Sequence, residues 1–101
     1  NGQLFTSEGV INIRNSEYKN SDEPIDKNCH SKVSQNYSRA YINHLHRTNE
    51  MLGSMLATYH NIYYYQSLMR DIRRSIKDNK FANFLKDFYN KRDLEMPDGP
   101  I

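Results

Sequence analysis

The sequence predicts an α+β fold in which an N-terminal β-hairpin and a long loop precede three α-helices. Two short apolar runs separated by a glycine-containing turn lie near the N-terminus. Turn-forming residues without periodicity continue to about residue 35, and from Ser34 onward apolar residues recur every three or four positions, which is the helical period. A chain of 101 residues with this order of elements forms one small domain at most.

The hairpin is predicted from residues 4–6 and 10–14. Gly9 lies in the connection between them and can adopt a positive φ. Because side chains alternate along a strand, Ile11 and Ile13 share one face and Val10 lies on the other. A two-stranded hairpin is marginal by itself, so we expect its apolar face to be covered.

Residues 15–35 are predicted to form the loop. Its turn formers are Asn15, Ser16, Asn20, Ser21, Asp22, Pro24, Asp26 and Asn28. Structureless loops longer than about 12–15 residues are uncommon in compact domains, and most are functional, disordered or held in place. This loop contains the only cysteine of the chain, Cys29, which could take part in such an attachment.

Three helices are predicted after the loop. The first carries an expected buried stripe of Tyr37, Ala40, Tyr41, His44 and Leu45. The second covers residues 51–77, and its expected apolar side consists of Leu52, Met55, Leu56, Tyr59, Ile62, Met69, Ile72 and Ile76. Asn79 can end this helix in the left-handed conformation. The third helix places Phe81, Phe84, Leu85 and Phe88 on one face.

The composition sets limits on function. The net charge of +2 is mild and does not by itself indicate nucleic-acid binding. The eight tyrosines and four phenylalanines are too many for a disordered tail, and they suggest helices that pack on each other or on a partner. A single cysteine excludes an internal disulfide and favours a reducing compartment. No apolar run reaches the ~18 residues of a membrane span. The absence of an initiator Met and of a signal peptide predicts a fragment or a processed product.

Several motifs occur in a fixed order along the chain. Residues 36–45 read N-Y-S-R-A-Y-I-N-H-L, residues 49–53 read N-E-M-L-G, and residues 60–69 read H-N-I-Y-Y-Y-Q-S-L-M. Residues 2–15 contain G-Q-L-F-T, G-V and I-R-N at matching intervals. Together they resemble the C-terminal segment of the bacterial tRNA-guanine transglycosylases over about residues 1–90. Independent motifs in one order are more specific than a single short pattern.

This resemblance implies a place in a larger enzyme. The family exchanges the wobble guanine of certain tRNAs for a queuine-type base, on a (β/α)₈ barrel with a small zinc subdomain inserted near its end. The segment would supply the zinc subdomain and the closing helices. Both catalytic aspartates of the family lie upstream of the matched part, so no catalytic residue is assigned here. The aspartates of this chain are interpreted as loop, cap and solvated-face residues: Asp22, Asp26, Asp71, Asp78, Asp87, Asp93 and Asp98.

The resemblance also implies a metal site that has changed. The family binds zinc with C-x-C-x-x-C and a later histidine, and the corresponding positions here are Cys29, Ser31, Ser34 and His60. Cys29 and His60 are therefore remnant ligands, and neutral serine hydroxyls are poor zinc ligands. Loss of zinc is the favoured interpretation. A rebuilt site with His30 and an engineered replacement of cysteine by serine are the alternatives. Without zinc, we expect residues 16–33 to be poorly ordered unless a partner holds them.

An interface is the other feature that the resemblance implies. It places Tyr37, Tyr41, His44 and Leu56 in an aromatic patch that the bacterial enzymes use for homodimer contact. The alternative is that Tyr41 and His44 are core residues of the first helix. Residues 63–65 are consecutive tyrosines that could stack on bases, but packing is favoured because they point in different directions on a helix.

These observations divide the chain into a hairpin with a degenerate zinc loop (1–35), a helical segment (36–92) and a tail (93–101). The favoured function is the packing and interface segment of a transglycosylase, inactive by itself and without a cofactor. Its expected partners are the missing barrel portion or another subunit, a second copy through the first helix, and tRNA or other RNA indirectly. The alternatives are a structural subunit of an RNA–protein assembly such as an organellar ribosome, and a stand-alone RNA-binding module. The expected location is the cytoplasm or, alternatively, an organellar matrix.

Overall fold

The computed structural model of the chain describes residues 2–48 and 50–92. Its elements are β1 (Gln3–Thr6), β2 (Gly9–Asn12), a 3₁₀-helix (Ser16–Tyr18), α1 (Lys32–Asn36), α2 (Arg39–Arg47), α3 (Met51–Lys77) and α4 (Phe81–Lys91). The α+β class is confirmed, with a hairpin followed by helices. The described residues contain one more α-helix than predicted. The predicted tail, 93–101, lies outside them.

The hairpin follows the predicted alternation. The strands β1 and β2 pair antiparallel, with Leu4 opposite Ile11 and Thr6 opposite Gly9. Gly9 has a φ of 124°, which a residue with a side chain rarely adopts. Leu4 and Ile13 are fully buried, whereas Val10 is 58% exposed. The hairpin therefore has one covered face, as its apolar pattern predicts.

Serine caps divide the predicted first helix into two. Ser31 Oγ accepts a hydrogen bond from Ser34 N–H and begins α1, and Ser38 Oγ accepts one from Tyr41 N–H and begins α2. Tyr37, between them, is extended at φ −129° and ψ 136°, so α1 ends after a single turn. The prediction of one continuous helix from Ser34 is therefore wrong. The caps follow the ordinary preference of serine for helix N-termini.

A small apolar core joins the hairpin, the loop and the first three helices. Its buried members are Leu4, Ile13, Ile25, Val33, Ile42 and Ala57. On α2 the buried apolar residues are Ile42 and Leu45, whereas Tyr37, Tyr41 and His44 are exposed. The predicted buried stripe is therefore largely wrong, because of its five members only Leu45 is buried.

The long helix α3 buries small residues and leaves large ones outside. It is 27 residues long, which corresponds to about 40 Å. Gly53, Ala57, His60 and Ser75 are buried, whereas Leu52, Met55, Tyr59, Ile62 and Ile76 are exposed. The predicted apolar side of this helix thus faces outward over much of its length, and the side turned to the core carries small residues and His60.

The last helix folds back on α3. Asn79 has a φ of 59°, which confirms the predicted left-handed end of the long helix. The apolar residues Phe84 and Phe88 of α4 are half-buried, and none of its residues is fully buried. Among the described residues, no helix combines the length and the apolar character needed to cross a membrane.

Candidate functional site

His60 lies at the centre of the predicted metal site. It belongs to α3 and is fully buried. Its Nε2 is 2.8 Å from the carbonyl oxygen of Phe5, and its Nδ1 is 2.9 Å from Ser31 Oγ. A carbonyl can only accept, so Nε2 carries the proton and the Nδ1 lone pair accepts from the Ser31 hydroxyl in the neutral ring. Burial lowers the pKa of His60, which favours this neutral form.

The two serines at the predicted zinc-ligand positions are both engaged in hydrogen bonds. Ser31 Oγ accepts from Ser34 N–H at 3.0 Å. Ser34 Oγ donates to the carbonyl oxygen of Asp26 at 2.7 Å and accepts from Asp26 N–H at 2.9 Å. Both serines are buried. These contacts hold the loop at Asp26 against the first turn of α1.

The carboxylate of Asp26 joins the loop to the hairpin turn. Its Oδ2 accepts from Ser7 N–H at 2.6 Å, and its Oδ1 accepts from Ser7 Oγ at 2.8 Å and from Asn28 N–H at 3.0 Å. The sequence placed Asp26 only in the loop, and its contact with the hairpin was missed. A side chain that bonds across 19 residues leaves no local pattern by which to find it.

The donor set does not fit a structural zinc site. Such a site needs four deprotonated or neutral-nitrogen ligands in a tetrahedron. Here Ser31 and Ser34 offer neutral hydroxyls that are already hydrogen-bonded, and Ser31 uses the Nδ1 lone pair of His60. The Cys29 thiol is buried and free, and His30 is exposed. Within residues 2–48 and 50–92, no three His, Cys, Asp or Glu side chains lie close enough to hold a metal ion.

The predicted interface residues lie partly together. The rings of Tyr37 and Tyr41 stack at 5.3 Å between centroids with 15° between their planes. His44 follows one turn later and is also exposed, so these three share an outer face. Leu56 lies on α3, where it is half-buried against the core. Tyr41 and His44 are thus exposed, whereas Leu56 packs against the core.

A second exposed surface runs along α3. We call it the α3 stripe, and its members are Met51, Met55, Tyr59, Ile62 and Tyr65, which are between 48% and 77% exposed. Their spacing of four, four, three and three places them on one side of the helix. Contiguous apolar surface of this kind marks an interaction site more often than a solvated face.

The three consecutive tyrosines point in different directions, as predicted. Tyr65 is exposed, whereas Tyr63 and Tyr64 are half-buried. The Tyr64 ring lies 6.1 Å from that of Phe5, and its hydroxyl accepts a hydrogen bond from the guanidinium of Arg92. Tyr64 therefore packs between the hairpin and the end of α4.

Two further residues that the sequence did not single out hold the loop to α2. Arg39 donates from Nε to the carbonyl oxygen of Pro24 at 3.0 Å and from its guanidinium to that of Ile25 at 2.9 Å. Asn43 Nδ2 donates to the carbonyl oxygen of Asn15 in the loop at 3.0 Å and to that of Ile13 at the end of the hairpin at 2.6 Å. Both belong to the motif of residues 36–45, so the motif itself was the available signal.

Comparison with known proteins decides the family. The sequence profile of the queuine tRNA-ribosyltransferase family matches residues 1–94. The chain belongs to this family. It is similar to the queuine tRNA-ribosyltransferase of Vibrio parahaemolyticus, with 47% identity over 97 residues. Those residues make up 96% of this chain and 26% of that protein, so the chain spans about a quarter of its relative's length. The resemblance inferred from the motifs is confirmed.

The queuine tRNA-ribosyltransferase match includes every position of the candidate site. It covers Cys29, Ser31, Ser34 and His60, and all of the predicted interface residues. The assignment of the first four to zinc-ligand positions of the family stays a prediction from the motifs.

Proposed function

We propose that this chain is the C-terminal packing and interface portion of a tRNA-guanine transglycosylase, the enzyme type that exchanges the wobble guanine of tRNA for a queuine-type base. In this proposal the catalytic aspartates belong to the barrel portion on which the chain packs, and the chain is inactive alone. The α3 stripe is the observation that carries the proposal. The match to only 26% of a relative supports it, since the rest of that protein offers a partner surface.

The dimensions of the α3 stripe suit a packing role. Residues 51–65 extend over about 21 Å of helix, and complete burial of each large apolar side chain is worth about 1.5–3 kcal/mol. The inward side of α3 is already committed to the small core through Ala57 and His60. A second apolar side on the same helix is best explained by a second packing layer, as the closing helices of a barrel require.

The stacked pair of Tyr37 and Tyr41 supports a contact with a second copy. Tyrosines are enriched in protein interfaces, where the ring is buried and the hydroxyl keeps a polar partner. His44 continues the same face and adds a polar group. This face belongs to α2, so it can bind a second protomer while the α3 stripe is covered by the barrel.

Complementation tests the function. A truncated form of the Vibrio relative, without the portion that this chain matches, is co-expressed with this chain. Incorporation of radiolabelled guanine into tRNA is then measured. We expect an assembly with two copies of each part that exchanges guanine, whereas neither part does so alone. A stable complex that binds tRNA without exchanging base would contradict the proposal. Tyr41→Ala should halve the mass of the assembly without dissociating the two parts.

Purification of the native protein distinguishes the proposed function from the alternative one. A discrete heterodimer or its dimer supports the transglycosylase portion, and its expected place is the cytoplasm. Co-sedimentation of the native protein with a large RNA–protein particle in an organellar matrix would instead support a repurposed structural subunit.

A further inference from the structure

We propose that a serine–histidine hydrogen-bond cluster closes the loop of this chain at the position where the family uses zinc. The cluster consists of Ser31, Ser34, His60 and the backbone of Asp26. It concerns the internal fold of the chain, so it stands whether or not the chain completes a transglycosylase.

The first step in the argument is that His60 has no free lone pair. Its Nε2–H donates to the carbonyl oxygen of Phe5, and its Nδ1 accepts from Ser31. A metal ion binds through the lone pair of a ring nitrogen. The only lone pair of the neutral ring is on Nδ1, where it already accepts the hydrogen bond from Ser31. Ser31 therefore satisfies the atom that a metal would otherwise bind.

The second step is that each of the two serine hydroxyls both donates and accepts a hydrogen bond. Ser31 Oγ donates to His60 and accepts from Ser34 N–H, while Ser34 Oγ donates to and accepts from the backbone of Asp26. Ser31 is fully buried, and Ser34 is 2% exposed. Buried hydroxyls without partners would be costly, so this complete pairing is what makes serine acceptable in place of a thiolate ligand.

The third step is that the cluster connects the loop to α3, as a metal would, and that His60 also binds β1. His60 belongs to α3, Phe5 to β1, and Ser31 to the end of the loop. The hydrogen bonds between them span 29 and 55 residues of sequence. The cluster is thus a crosslink between distant segments and more than a helix cap.

The reverse substitution gives the sharpest test. Ser31→Cys/Ser34→Cys in the full chain leaves Cys29 and His60 in place and restores the three-thiolate, one-histidine donor set. The matched control is Ser16→Cys/Ser54→Cys, which adds the same number of thiols at exposed positions. Each protein is purified without chelator, supplied with zinc sulfate and desalted, and zinc per chain is measured.

We expect about one zinc per chain for Ser31→Cys/Ser34→Cys, as a closed tetrahedral site requires, and far less for the unmodified chain and the control. Stoichiometric zinc in the unmodified chain would overturn the proposal. So would a double variant that binds no more zinc than the control, because the cluster would then not lie at a metal position.

A second measurement does not depend on folding of the double variant. Hydrogen exchange of residues 25–36 should be the same in the unmodified chain with and without EDTA. Ser31→Ala removes two hydrogen bonds and should speed exchange there at least tenfold, since the net stabilisation of a single hydrogen bond already corresponds to about that factor. Ser31→Thr should restore protection by restoring the hydroxyl. Protection that is lost with EDTA, or unchanged in Ser31→Ala, would contradict the proposed crosslink.

Discussion

Asn61 pairs with the backbone of β1 at Phe5 in the way that a neighbouring strand would. Its Oδ1 accepts from Phe5 N–H at 3.0 Å, and its Nδ2 donates to the carbonyl oxygen of Gln3 at 2.9 Å. The adjacent His60 donates to the carbonyl oxygen of Phe5. Two consecutive residues of α3 thus satisfy three backbone groups on the open edge of the hairpin, which explains why two strands suffice here.

Loss of the Asn61 side chain should loosen this attachment. Asn61→Ala removes two hydrogen bonds and leaves Phe5 N–H and the Gln3 carbonyl to water. We expect the free energy of unfolding to fall by about 1–2 kcal/mol, measured by urea denaturation. Gln66→Ala, at an exposed position on the same helix, is the control and should change it by less than about 0.5 kcal/mol. Equal effects of the two substitutions would contradict the assigned role of Asn61.

The close approach of α2 and α3 depends on Gly53. A Cβ atom there would lie 3.0 Å from Leu45 Cβ and 3.2 Å from the backbone nitrogen of His46. At an exposed position inside a helix, replacing glycine by alanine stabilises the helix by about 1 kcal/mol. At Gly53, however, atoms of α2 would have to move to make room for the new Cβ. We expect Gly53→Ala to destabilise the chain by about 1–3 kcal/mol, measured by thermal or urea unfolding. A stabilised Gly53→Ala variant would show that the helices separate freely.

Acid should destabilise the chain through His46. This residue is 4% exposed, and its Nε2 has no partner among the described residues. Burial, with a further contribution from Arg14, lowers the pKa of His46 below its ordinary value of 6.5. The unfolded chain therefore binds a proton more readily than the folded one. The stability from neutral His46 is complete above pH 6.5 and is lost as the pH falls from there towards the lowered pKa.

The measurement is the free energy of unfolding between pH 7.5 and 5. His46 and His60, whose pKa values are both lowered by burial, each take up a proton on unfolding, and each adds up to about 1.4 kcal/mol per pH unit to the slope. His46→Gln should reduce the slope by up to this amount, and His44→Gln, on the exposed face of the same helix, should not change it. An unaltered slope in His46→Gln would assign the acid sensitivity to other groups.

The sequence predicted local structure better than it predicted which faces are buried. Apolar alternation identified the hairpin, and Asn79 identified the end of the long helix. The cap at Ser38, which redirects α2, was missed because a continuous helical period concealed the break at Tyr37. On α3 the large apolar residues were predicted to share one side, without a prediction of what covers it, and the fold of this segment buries Ala57 and His60 instead. Hydrophobicity alone could not decide this, since an apolar residue facing a partner has the same pattern as one facing a core.

At the candidate site, Cys29 and His60 were singled out through the family motif. The hydrogen bond between Ser31 and His60 joins residues 29 positions apart, so only the three-dimensional structure reveals it.

The α3 stripe provides the last prediction, because its residues should matter for association and not for the fold. Met55→Glu and Ile62→Glu place charges on side chains that are 61% and 53% exposed. In the isolated chain we expect the free energy of unfolding to change by less than about 0.5 kcal/mol for each. In the complex with the barrel portion, a buried unpaired carboxylate should reduce affinity by at least a hundredfold, equivalent to about 2.7 kcal/mol.

Affinity is measured by titrating the labelled chain with the separately purified barrel portion. Asn83→Glu and Asn90→Glu carry the same charge at exposed polar positions of α4 and serve as matched controls. We expect them to bind within about threefold of the unmodified chain, because they lie on another helix, on the side opposite to its phenylalanines. If the stripe variants bind as tightly as these controls, the exposed apolar side of α3 does not face the barrel. If they instead unfold the isolated chain, the stripe belongs to its own core. Loss of binding with an intact fold is the only combination that agrees with a packing surface.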